Sequence, residues 1–331
     1  MDTNTCCVRP GWSRVLTARV ARTAAVALLG LQAALAAAGT SILFIGNSFT
    51  YGALSDVESF RPGSVTDLNG SGIGGVPALF KAFTQQAGLD YQVSLETEPG
   101  SGLDFHWNNR LPLIDQPWDK VVMHGQSTLD FDAPGNPGKI VTYSGLLSEA
   151  FHARNPAVDV SLTATWARAD QTYLPTGHWY GEPISAMAFD VQAGYNLAKA
   201  VNGALIDRVN PVGLAWNRAI EAGVADPNPY DGITPGQLDL WASDHYHASN
   251  YGYYLHALTV FGMVTGVDPR SLGGTESAAV ELGFSASEAY ALQSIAWETI
   301  HAIPEPSSYA LMALGAGVVL LAIRRTRQRR R

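Results

Sequence analysis

Cysteine is nearly absent from this 331-residue chain: there are two, Cys6 and Cys7, both at its start. Disulfides therefore cannot hold the body of the fold, even in an oxidising compartment. Charge is also scarce, at 15% of residues, and basic charge is scarcest of all away from the ends. Between residues 40 and 303 only 11 basic residues face 27 acidic ones, a net charge of −16 against −8 for the whole chain. That balance disfavours a nucleic-acid partner and should repel anionic polymers and lipids. No period of 20 to 50 residues repeats, which argues against a solenoid or propeller. The Gly-rich stretch 70–75 lacks the Lys and Ser/Thr of a phosphate-binding loop. A hydrophobic content of 47% excludes a disordered or collagen-like chain, and the length suits one large domain or two small ones.

The missing basic charge sits at the two ends. Arg9, Arg14, Arg19 and Arg22 precede an apolar run over 23–35 and the small residues 33–39. A charged start, a short apolar core and an A-x-A exit predict a secretory signal peptide over 1–38, removed by signal peptidase. Both cysteines lie upstream of the expected cut. At the other end Pro304-Glu305-Pro306 precedes fifteen uncharged residues, 309–323, and then Arg324, Arg325, Arg327, Arg329, Arg330 and Arg331. A helix of that length reaches about 22 Å, short of the roughly 30 Å hydrocarbon core, and spans with help from its flanks and local thinning. This three-part pattern over 303–331 resembles the PEP-CTERM sorting signal. The resemblance implies export through the bacterial inner membrane, processing by an exosortase, membrane contact through the C-terminal helix and the company of exopolysaccharide production. A plain tail anchor is the alternative and leaves the protein on the same side of the membrane.

The middle, 39–302, reads as one domain of alternating strands and helices. Strands are expected at 41–45, 91–95, 120–123, 158–163 and 212–215, and helices at 77–86, 145–153, 185–201, 216–222, 250–264 and 286–302. Such alternation predicts an α/β fold with a mostly parallel sheet covered on both faces. Long connections at 54–76, 128–139 and 166–184 are expected near the carboxyl ends of strands, where open α/β sheets bind ligands. The last of them carries Trp166, Trp179 and Tyr180, aromatic faces suited to sugar rings as well as to ordinary packing.

The first strand breaks at Gly46-Asn47-Ser48-Phe49-Thr50. A tight turn there lifts Ser48 from the sheet, as a nucleophile requires, although the pattern is not the G-x-S-x-G elbow. Near the other end stands Asp244-His245-Tyr246-His247. A serine hydroxyl needs a base to take its proton, and that imidazole needs an acceptor to fix its tautomer. Asp244 and His247, three apart on a turn, supply both, with His245 expected to point away.

The pair of motifs, in this chain order, resembles the SGNH or GDSL hydrolases. The resemblance implies a flavodoxin-like three-layer α/β/α fold, with Ser48 as nucleophile, His247 as general base and Asp244 as its orienter. Asn47 replaces the usual Asp of the first block, as in branches that begin G-N-S-F-T. By the same resemblance the oxyanion hole would be formed by the Ser48 N–H, Gly100 and Gln126, with Gly102 interchangeable with Gly100 and Gln126 in place of the usual Asn. The expected activity is that of a secreted ester hydrolase using no cofactor or metal, acting on small acyl esters or on acetylated carbohydrate. Three alternatives stay open. Gly125-Gln126-Ser127 could make Ser127 the nucleophile, as G-Q-S does in some carbohydrate esterases. His245 and His247 with His124, His106 or Asp244 could ligate zinc. The chain could also be a non-catalytic surface or carbohydrate-binding protein that keeps the fold.

Overall fold

The computed structural model describes residues 39–302. The expected signal peptide and C-terminal sorting segment lie outside those residues. Among the described residues no helix is long and apolar enough to cross a membrane.

The chain builds one six-stranded sheet from β1 (Thr40–Gly46), β2 (Thr66–Asp67), β3 (Tyr91–Thr97), β4 (Lys120–Met123), β5 (Asp159–Thr163) and β6 (Arg208–Asn210). Every pairing is parallel and the order is β2-β3-β1-β4-β5-β6. Without the two-residue edge strand β2, this is the 2-1-3-4-5 order of flavodoxin-like sheets. Central strands of a parallel sheet are covered on both faces, so they read as continuous apolar runs. In β1, Ile42 and Phe44 enter one core while Leu43 and Ile45 enter the other.

The first core is closed by α1 (Gly75–Gln86), α4 (Val212–Glu221), α5 (Asn250–Thr265) and α6 (Ala286–Ala302); the second by α2 (Gly138–Arg154) and α3 (Ser185–Asn202). This is the three-layer α/β/α arrangement expected from the sequence. One strand expectation fails. Residues 212–215 open the helix α4, and the sixth strand is the preceding Arg208–Asn210. Val212, Ala215, Trp216 and Ala219 all bury on one helical stripe, and four apolar residues alone do not distinguish that stripe from a strand.

Ladder bonds continue past the strand ends and set the loops level. His124 N–H donates to Ile45 O at 3.2 Å and Glu98 N–H to Gly46 O at 3.1 Å. The segments leaving β1, β3 and β4 therefore meet at the reversal of strand order, the usual ligand crevice of such sheets.

Candidate active site

Gly46 ends β1 with no room for a side chain: a Cβ would stand 2.2 Å from Thr50 Oγ1 and 2.5 Å from His124 Nε2. Those two groups are bonded to each other at 2.7 Å. His124 Nδ1 lies 2.8 Å from Gly125 O, which only accepts, so Nδ1 carries the proton and Nε2 receives the Thr50 hydroxyl. Burial pushes His124 down to about 4. It is a neutral strut of the turn that carries Ser48.

Asn47 caps the four-residue helix Ser48–Tyr51, its Oδ1 accepting from Phe49 N at 3.1 Å. Its Nδ2 donates to Ser101 O at 2.8 Å and Gly125 O at 3.1 Å. One buried amide thus staples the β1, β3 and β4 loops together, using donors that an ionised Asp does not have. Ser48 opens the helix, where the first N–H groups have no intrahelical acceptor. Its carbonyl is held by Tyr253 Oη at 3.1 Å, a bond shared with Ala53 O at 3.2 Å.

Tyr253 belongs to α5, which begins after Asp244-His245-Tyr246-His247. Ser249 caps that helix, accepting from Gly252 N and donating to Asp239 O at 2.6 Å. Asn250 Nδ2 reaches Asp56 Oδ2 at 2.9 Å, so the histidine loop and the loop after Ser48 are fastened at a second point. Within the loop, Asp244 Oδ1 accepts from the N–H groups of Tyr246 (3.0 Å) and His247 (2.9 Å). Its Oδ2 faces His247 Nδ1 at 2.6 Å. Burial opposes ionisation, yet the imidazole and the two N–H groups together hold the Asp244 carboxyl below its ordinary value. With Nδ1 turned to Asp244, the His247 Nε2 is buried and has no hydrogen-bond partner, Ser48 included. The ring stands edge-on to Phe49, the residue after Ser48, with centroids 5.7 Å apart. His245 turns away at φ 55° and packs on Tyr230 at 4.3 Å.

Gly100 adopts φ 68°, where glycine is favoured, and its carbonyl accepts from Gln126 Nε2 at 3.2 Å. Gln126 Oε1 accepts from Phe131 N at 2.6 Å. Those two bonds fix which end of the amide is nitrogen and leave its second N–H free. A Cβ on Gly102 would lie 3.5 Å from Gln126 Cγ, so both candidate glycines border this amide.

Two of the three aromatic candidates prove to be core. Trp166 is fully buried between Phe49, stacked at 4.0 Å, and Trp216, stacked at 4.7 Å, and its Nε1 donates to Tyr246 O at 3.2 Å. Trp179 is buried with Nε1 on Asp190 Oδ2 at 2.8 Å. Neither offers a face to a substrate; Trp166 instead supports Phe49 and the histidine loop. Tyr180 is 56% exposed. Ser127 Oγ has the Arg168 guanidinium at 3.4 Å and, among the described residues, no imidazole bonded to it. The zinc candidates disperse: His124 binds Thr50, His106 binds Glu96, and no three metal-ligating side chains converge among the described residues.

Sequence reasoning missed the Asn47 staple and the Gln126 clamp, because their partners lie far away along the chain. It also missed Arg168, which is paired with Asp170 (Nη2 to Oδ2, 2.6 Å). Its guanidinium lies 3.7 Å over the Tyr246 ring, which packs 4.0 Å from His247.

Among solved structures, a DUF4886 family protein from Bacteroides uniformis is 18% identical with a TM-score of 0.54, over 79% of this chain and 95% of its own. This chain shares that protein's fold. TesA (12% identity, TM-score 0.43, 69% of this chain and 99% of that one) and a family 3 carbohydrate esterase from Clostridium thermocellum (16%, 0.43, 69% and 98%) are also similar to it. No curated protein matches the sequence. Residues 302–330 match the PEP-CTERM protein-sorting motif. The protein is therefore exported across the inner membrane to the cell envelope or surface.

Proposed function

We propose that this protein is an exported serine-dependent ester hydrolase, with Ser48 as nucleophile, His247 as general base and Asp244 as the residue that orients it. The observation that carries the reading is the state of the His247 ring. Nδ1 is committed to Asp244, and Nε2 is left with a free lone pair beside the turn that carries Ser48. Catalytic hydrogen bonds are often unformed without substrate, so the missing Ser48–His247 bond is compatible with this role.

Ser48 Oγ attacks the ester carbonyl carbon as its proton passes to His247 Nε2. The oxyanion is received by the N–H of Ser48, the N–H of Gly100 and the free N–H of Gln126. Collapse expels the alcohol, which takes the proton from His247, and leaves Ser48 acylated. Water attacks the acyl-enzyme with His247 again as base, releasing the acid and restoring Ser48.

The substrate class we infer is a small acyl ester, in particular O-acetyl on neutral or acetyl-masked exopolysaccharide. The domain's net charge of −16 disfavours uronate-rich polymers. With Trp166 and Trp179 buried, rings available for stacking include Tyr180 and Phe131, the latter 76% exposed with its backbone held by Gln126.

A fluorophosphonate probe tests the mechanism: Ser48 should be the labelled residue, and Ser48→Ala should take no label and release no acetate from O-acetylated glycans or aryl acetates. No adduct on the wild type would leave the non-catalytic binding protein as the reading, and label on Ser127 would move the nucleophile there.

A further inference from the structure

Behind the proposed site lies a second serine–histidine–carboxylate array that the mechanism above does not use. Glu96, near the end of β3, is fully buried, and so is His106, whose Nδ1 lies 2.5 Å from Glu96 Oε2. His106 Nε2 lies 3.0 Å from Ser101 Oγ. The other oxygen of Glu96 is approached by Arg110 Nε at 3.3 Å and Asn69 Nδ2 at 3.4 Å, and Arg110 also reaches Glu98 at 2.9 Å. A buried carboxylate is costly without such partners, so an array this complete marks a place where the chain must be held still.

Ser101 is what the array holds. Its hydroxyl donates to Glu98 O at 2.9 Å, closing the turn whose middle residue is Gly100. Its carbonyl accepts from Asn47 Nδ2 at 2.8 Å. Glu96, His106, Ser101 and Asn47 thus form an unbroken chain from the end of β3 to the residue before Ser48. Ser101 Oγ is thus held from two sides, by Glu98 O and by His106 Nε2.

We propose that Glu96 and His106 are positioning residues that act through Ser101 to aim the Gly100 N–H at the oxyanion formed on Ser48. This role rests on the reading of Ser48 as nucleophile. Oxyanion donors act only if fixed before charge develops, so loosening the turn should cost turnover and leave ground-state binding nearly intact.

The test compares Ser101→Ala, Ser101→Thr and His106→Gln with wild type, using p-nitrophenyl acetate as substrate and a fluorophosphonate as probe. Ser101→Ala and His106→Gln are expected to lower kcat by about 10- to 100-fold with KM changed by less than about threefold. The rate of Ser48 capture should fall in parallel, and Ser101→Thr, which keeps the hydroxyl, should recover most of both. Ser101→Ala removes a single oxygen from a turn, so it keeps the test open where His106→Gln fails to fold. Unchanged kcat with a lowered Tm would reduce the array to a structural one and overturn the proposal. Label appearing on Ser101 in Ser48→Ala would overturn it differently, by making Ser101 a nucleophile. Absence of label on wild-type Ser48 would remove the parent reading, and that result is read before any variant of the array.

Discussion

Replacing Asn47 by Asp, the residue more usual at this position in the hydrolases the chain resembles, should harm this protein. The Asn47 amide is 5% exposed and donates to two carbonyls, Ser101 O at 2.8 Å and Gly125 O at 3.1 Å. An ionised Asp donates to neither and sets a buried negative charge against both. Ser101 O is left a buried acceptor without a donor, at about 1 to 3 kcal/mol, while Gly125 O keeps the His124 Nδ1 bond, so the expected loss is about 1 to 3 kcal/mol at pH 7.5. The sign of the pH dependence follows. Burial without a cation raises the new carboxyl above its unfolded value, and once protonated it can donate one O–H. The deficit relative to wild type should therefore shrink as pH falls from 7.5 to 5. Urea unfolding of Asn47→Asp and wild type at both pH values measures this, because effects common to the two proteins cancel in the difference. Equal midpoints at pH 7.5, or a deficit that widens on acidification, would refute the staple.

Two further outcomes test the surroundings of the site. Trp166→Ala should cost about 3 to 5 kcal/mol in unfolding free energy, since it empties the space between Phe49 and Trp216 and drops the bond to Tyr246 O; unaltered stability with a selectively raised KM would return Trp166 to the list of substrate contacts. Burial pushes His124 down to about 4 and His256 to about 3, both from 6.5. The unfolded chain then binds protons first on acidification, so the stability these rings contribute is complete above pH 6.5 and is lost as pH falls toward 4, about 3 kcal/mol for His124. Imidazole NMR resonances of the two should stay constant from pH 8 to 5, and titration of either near 6.5 would contradict their burial as neutral rings.

What the sequence made legible was whatever depends on near neighbours. β1 announced itself because a central parallel strand must be apolar on both faces, and Asp244 and His247 because a turn brings residues three apart together. Arg208–Asn210 did not, since a three-residue strand with Arg and Asn carries no apolar run, and the adjacent 212–215 took its place. The segment with Trp166 and Trp179 suits sugar rings and ordinary packing alike in the sequence. Exposure is decided by what packs on a ring, and Phe49 and Trp216 are 117 and 50 residues from Trp166. The proposed oxyanion loop was legible in outline through Gly100 and Gln126. The bonds that hold it, from Asn47 and His106, appear only once three strand ends are level.

The departures from the usual hydrolase pattern share a chemical sense. Asn47 stands where Asp is usual, and it bonds Ser101 O and Gly125 O. Gln126 stands where Asn is usual, and its longer side chain reaches both Gly100 O and Phe131 N. A neutral amide donates and accepts at once without adding charge. In a domain of net −16, an extra carboxylate beside Ser48 would oppose the oxyanion that the proposed mechanism forms there. Among the carboxylates near the turn, Asp244 and Glu96 are each matched by a ring, His247 and His106, while Glu98 is paired with Arg110. The loops that converge on Ser48 are thus cross-linked by amides. On the proposed mechanism, an acidic exported protein keeps in this way a site fit to stabilise an anion.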